Sequence, residues 1–153
     1  MEVGMGSGGS GMPRMYRSMT PDPSGQAPQP GRGARLLGVR VPPVENPDVQ
    51  PDAAGNVHPL GGGMSVCREW RQLMPHRIPR RLQGLRRGAS GRSEDKIWRL
   101  GDGAFASASI DSALSLRVDH APHGSVEPSR RMGLADYEAA LAATAPKWVI
   151  DES

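Results

Sequence analysis

Three consecutive glycines, Gly61, Gly62 and Gly63, lead into Met64-Ser65-Val66 and place a small hydroxyl where a loop should turn into a strand. Glycine permits positive φ or a very close approach of backbone to ligand. The stretch therefore reads either as a junction that presents Ser65 to a ligand or as a glycine-rich turn with a surface serine. Arg17 lies in Met15-Tyr16-Arg17-Ser18-Met19. Strand alternation would send Met15, Arg17 and Met19 to one face and Tyr16 and Ser18 to the other. An arginine between two methionines either snorkels its head to solvent or turns into a cleft to bind an anion. Glu127 precedes Pro128, and a residue before proline is pushed toward extended geometry. Its carboxylate is expected at a strand end, where such groups often line a site.

Two further groups could carry chemistry. His120 and His123 form an H-x-x-H pair across Ala121-Pro122, with Asp119 and Glu127 nearby. That spacing differs from the i, i+4 helical pair of a zinc protease, so no metal site is expected and His123 reads as a turn residue or a polar neighbour of a cleft. Cys67 is the single cysteine. It has no intrachain disulfide partner, and no Cys–His spacing marks it as a nucleophile.

The elements that must position these groups are short. Strands are expected at Met15–Met19, at 36–41 with Leu37, Val39 and Val41 on one face, at 64–66, at 96–100, and at 114–118. The last alternates strictly, with Leu114, Leu116 and Val118 inward and Ser115 and Arg117 outward. Asp119 to Gly124 reads as a turn into a strand at 125–127. Leu134, Tyr137 and Leu141 fall at helical spacing among alanines, with Gly133 as N-cap, Asp136 in the first turn and Pro146 beyond the end. Trp148 is expected to fold back as an apolar anchor. Residues 1–13 are low in complexity and read as a flexible leader. Their literal G-x-G-x-x-G at Gly4, Gly6 and Gly9 lacks the preceding strand that a dinucleotide fingerprint needs. Residues 14–150 read as one domain.

Composition bounds the rest. Leu, Ile, Val and Phe supply 26 of 153 residues, while Gly and Pro supply 35. The apolar share is low enough to raise disorder as an alternative, but the formal net charge of +3 lacks disorder's usual companion. A small ordered α+β domain with long connections is expected. No stretch approaches a membrane span and no signal-peptide pattern opens the chain, so a cytoplasmic site of action is expected. Export would need a specialised secretion system. Between 68 and 99, ten Lys and Arg side chains face Glu69, Glu94 and Asp95. The segment could clamp an acidic protein or nucleic acid. Its Pro- and Gly-rich sequence offers no recognition helix, however, and its aromatics are Trp70 and Trp98, so specific nucleic-acid readout is not expected.

In order along the chain stand a strand with Tyr16-Arg17, a Gly-Gly-x-Ser-Val junction at 62–66, and His-Gly-x-x-Glu-Pro at 123–128 feeding Met132 and a helix with Tyr137. This order resembles a family of small toxins with an ADP-ribosyltransferase-like fold, exemplified by an effector of the bacterial type VI secretion system. The resemblance covers roughly residues 14–148 and rests on order and spacing, since each motif is short. It implies a split β-sheet with a C-terminal helix and NAD as substrate. Arg17, with Tyr16 beside it, would grip phosphate and ribose; Gly63 and Ser65 would shape the nicotinamide pocket. Glu127 would bind the ribose and stabilise the cationic sugar formed as nicotinamide leaves. The family's Ser/Thr cluster is reduced to Ser65, and Ser125 stands where arginine-directed transferases have a second glutamate. Transfer to an arginine is therefore not expected, which leaves NAD hydrolysis, another acceptor, or no catalysis. An immunity protein would be the implied partner, and a chain ordered only on meeting it is a further alternative.

Overall fold

Alternation of apolar and polar residues builds the centre of the molecule. The computed structural model describes residues 11–153; Gly4, Gly6 and Gly9, and with them most of the 1–13 leader, lie outside the described residues. The strands are β1 (Met15–Met19), β2 (Asn56–Val57), β3 (Met64–Cys67), β4 (Lys96–Leu100), β5 (Ala108–Ser109), β6 (Leu114–His120), β7 (His123–Pro128), β8 (Met132–Gly133) and β9 (Val149–Ile150). The helix α1 spans Leu134–Ala143. Seven strands form one sheet in the order β5-β6-β7-β3-β1-β4-β9, and β2 pairs with β8 apart from it. Every named ladder is antiparallel. The chain is thus an α+β fold, dominated by antiparallel sheet with a helix near its C-terminal end.

The sheet carries apolar clusters on both faces. Met15, Met19, Met64, Val66, Leu114, Leu116 and Val126 face the larger cluster, which Tyr137 and Leu141 of α1 and Trp148 complete. Trp148 is therefore the apolar anchor its sequence suggested; it is 2 % exposed, and its indole Nε1–H donates to the Thr144 hydroxyl at 2.9 Å. Tyr16 and Ile97 point the other way, into a second cluster with Trp70, Ile78 and Leu82. The alternation expected of β1 is observed, because its methionines and its tyrosine enter different clusters.

Tyr137 ties the helix to the sheet. Its hydroxyl donates to the Val126 carbonyl at 2.5 Å and accepts from the Met64 N–H at 3.2 Å, so one side chain bridges β7 and β3. Burial pushes its phenol above the usual value near 10. It is a neutral donor throughout the physiological range.

Two expectations are corrected. Residues 36–41 do not form a strand. Leu37, Val39 and Val41 are buried on one side as expected, but the backbone spends its hydrogen bonds elsewhere. The Leu36 carbonyl accepts from Arg17, the Leu37 N–H donates to Gln29, and the Arg40 N–H donates to the Asp48 carboxylate at 2.7 Å. The turn expected over 119–124 is shorter than that, because β6 and β7 extend to His120 and from His123 and leave Ala121-Pro122 as the connection. Among the described residues, no helix is long and apolar enough to cross a membrane.

Candidate functional site

The seam between β1 and β3 is where the chemistry-bearing residues meet. The β1–β3 ladder has one registered pair, Tyr16 opposite Cys67. Beside this pair the Arg17 guanidinium fills the gap. Its Nη1 donates to the Ser65 carbonyl at 2.8 Å, its Nε and Nη2 to Leu36 at 3.2 and 2.9 Å, and its Nη2 to Gly33 and Gly38 at 3.3 and 3.4 Å. Arg17 is 6 % exposed and so does not snorkel to solvent. Burial lowers its pKa to about 10, which still leaves it protonated at neutral pH. A guanidinium with donors spread in a planar fork can fasten four carbonyls in this way; an ammonium could not.

A cavity of about 410 Å³ opens at this seam, lined among others by Arg17, Ser18, Arg40, Asp48, Ser65, Cys67, Arg77, His120 and His123. That volume is within the range of small-molecule sites. Three guanidinium groups against the one carboxylate of Asp48 make it an anion-attracting cavity. Arg40 holds Asp48 with Nη2 at 3.0 Å from Oδ1. Arg77 comes from the short 3-10 turn Pro75–Arg77, and burial together with the neighbouring Arg40 lowers its pKa.

Ser65 is half-buried on the cavity wall. Across the β3–β7 ladder it lies opposite Ser125, and Glu127 is the next residue of β7 on that face. Diagonal neighbours of this kind lie about 7 Å apart. Glu127 does not itself line the cavity. It is 5 % exposed; Arg117 holds its two carboxylate oxygens at 2.9 and 3.0 Å, and Oε1 also accepts from the Leu60 N–H at 2.9 Å. Arg117, read from sequence as an outward strand residue, is the partner that sequence reasoning missed. The β6–β7 register, which sets Arg117 opposite Ser125 and beside Glu127, makes the pair and leaves no local signal in the sequence.

Tyr16 points away from the cavity. Its hydroxyl donates to Asp151 at 3.3 Å, and burial and that carboxylate hold its pKa above the ordinary value. Gly63 also has a local reason to be glycine, since a Cβ there would overlap the Val126 carbonyl and crowd the Glu127 Cα. We expect Gly63→Ala to cost about 2–3 kcal/mol through forced separation of β3 from β7. Gly84→Ala has open space and no unusual φ and should be neutral or stabilising by up to about 1 kcal/mol. Urea midpoints of the two variants check this, and equal midpoints would contradict it.

Cys67 lies opposite His123, whose Nδ1 bonds Asp119 at 2.9 Å. Burial pushes the Cys67 thiol up, away from the thiolate that a nucleophile requires. Asp119, His120 and His123 have donor atoms within 4.8 Å of one another at the end of the β6–β7 hairpin, and the imidazoles stack with centroids 5.4 Å apart. His123 thus borders the cleft, as one of its sequence readings had it.

The basic segment 68–99 is less of a free patch than its composition suggested. Arg81 pairs with Glu152 and Arg99 with Asp151, both carboxylates arriving from the C-terminal end. Arg71 bonds Glu69 at 3.0 Å and lies over the Trp70 ring. Arg68, Arg80 and Arg87 remain exposed. No protein-family model matches the chain, and the curated proteins contain no match to its sequence.

Proposed function

We propose that the chain is a toxin domain of ADP-ribosyltransferase-like type that binds NAD in the β1–β3 cavity and breaks its nicotinamide–ribose bond. The observation that carries this reading is the meeting of Arg17 and Ser65, 48 residues apart in sequence, on one wall of a cavity with an excess of arginine. Further support comes from the short β1–β3 ladder, with its single registered pair, as the place where a sheet of this type would divide. Glu127 is one diagonal step from Ser65 on the same face.

In the reaction the C1′–N bond breaks, nicotinamide departs with the bonding electrons, and ribose C1′ becomes oxocarbenium-like. Water or an acceptor hydroxyl then bonds to C1′ and releases its proton. A carboxylate stabilises the cationic sugar most effectively in a cleft with little water. Glu127 supplies that charge once Arg117, whose side chain is 42 % exposed, turns aside. Ser65 orients the ring end of the ligand. Arg17 holds the cavity wall in shape, and the other arginines meet the pyrophosphate. The site of action is a target cytoplasm, reached through a specialised secretion system, and an immunity protein is the natural partner in the producing cell.

Binding is tested by thermal melting with and without NAD. At NAD about a hundredfold above Kd, linkage gives about 2.7 kcal/mol of stabilisation, which in a chain of this size raises Tm by roughly 5–10 °C. An unchanged Tm at millimolar NAD would contradict the proposal.

A further inference from the structure

The three cavity arginines are not equivalent. Arg17 gives its donors to backbone carbonyls, and Arg40 is paired with Asp48. The Arg77 side chain, by contrast, has neither a hydrogen bond nor a salt bridge among the described residues. What surrounds it is partial burial, the like charge of Arg40, and the attraction of an Asp48 already engaged by Arg40. A half-buried cation placed beside another cation is unfavourable until an anion arrives.

Ser18 is an independent sign at the same wall. It is 6 % exposed, and its Oγ is buried without any hydrogen-bond partner. A buried hydroxyl left unpaired is destabilising and calls for an explanation. Ser18 and Arg77 also border a second, smaller cavity of about 190 Å³, where the other arginines are paired, Arg35 with Asp95 and Arg92 with Glu94. The two unpartnered groups therefore stand where the two cavities adjoin.

The geometry points to Ser18 and Arg77, and not Arg17, as the residues that hold a phosphate of the ligand, the class of ligand being a diphosphate such as that of a nucleotide. The inference rests on the reading that the β1–β3 cavity takes a phosphorylated ligand. The Ser18 hydroxyl donates to a phosphate oxygen, and the Arg77 fork supplies charge-assisted hydrogen bonds. Arg17 shapes the wall against which they act. Alanine at 18 would relieve an unpaired hydroxyl, and an uncharged residue at 77 would relieve repulsion from Arg40.

The test is calorimetric titration of the full chain with inorganic pyrophosphate, ADP and NAD, alongside melting curves, for wild type, Ser18→Ala and Arg77→Met. Wild type should bind all three. Arg77→Met should lose roughly tenfold or more in affinity for each, and Ser18→Ala several-fold. Both variants should melt at or above the wild-type Tm, a combination that a structural role for either side chain would not produce. Wild-type affinity in both variants, a lowered Tm for Ser18→Ala, or a wild type that binds none of the probes would overturn the inference. NAD cleavage that proceeds unchanged in Arg77→Met would overturn it and leave the proposed activity standing. Binding of pyrophosphate and ADP that depends on Arg77, without any nicotinamide release, would support it and reject that activity.

Discussion

Arg17→Met should lose about 3–5 kcal/mol of stability, enough to bring a domain of ordinary stability close to unfolding. The guanidinium is buried and protonated, and its donors satisfy carbonyls of Ser65, Leu36, Gly33 and Gly38. Methionine fills much of the same volume but donates nothing. The partly buried carbonyls of residues 33–38 would then lose their donor, and a buried group left unpaired costs about 1–3 kcal/mol. Part of that loss is returned, because burying a charge is itself costly, as the lowered pKa of Arg17 records. Arg17→Lys should fall between, since three donors on a flexible stem cannot reach four carbonyls. Arg32→Ala is the control. Arg32 pairs with Glu138 on the surface, and its loss should leave the urea midpoint near that of wild type, because solvent screens the pair. Urea denaturation of the three variants decides the matter, and an Arg17→Met within 1 kcal/mol of wild type would contradict the account. It follows that lost activity in an Arg17 variant is uninformative about ligand binding unless the variant is shown to be folded.

Arg17 also marks the limit of what the sequence carries. Alternation placed Arg17 on a face with Met15 and Met19, and the structure agrees, yet spacing could not choose between solvent and cleft. The deciding partners are carbonyls, which leave no mark on side-chain composition. The 36–41 segment failed as a strand for the same reason: its apolar alternation is real and buried, but Arg17, Gln29 and Asp48 take the backbone groups a ladder would have used. The strands at 96–100 and 114–118 and the helix at Leu134–Ala143 were legible because local periodicity and long-range burial coincide there. The Arg117–Glu127 pair and the cavity lining at Arg77 and Ser18 were not, because they depend on register between strands and on a turn brought in from far along the chain. A count of charges over 68–99 likewise missed Asp151 and Glu152, which fold back onto Arg99 and Arg81.

The second large effect concerns Glu127. Glutamine keeps an oxygen to accept from the Leu60 N–H and keeps the size of the side chain, and it removes the charge. Because Arg117 is partly exposed, water can solvate it when its partner loses its charge, so Glu127→Gln should remain folded. The charge is what an oxocarbenium-like transition state requires, and its removal should slow cleavage by about 10²-fold or more. Ser65→Ala, which would remove a contact of the proposed site but no charge, should have the smaller effect. The most direct measurement is therefore nicotinamide release from NAD by purified wild-type protein beside folded Glu127→Gln and Ser65→Ala. The account predicts release by wild type, near-complete loss in Glu127→Gln and a partial loss in Ser65→Ala. No release by wild type, or release that Glu127→Gln leaves unchanged, would contradict it.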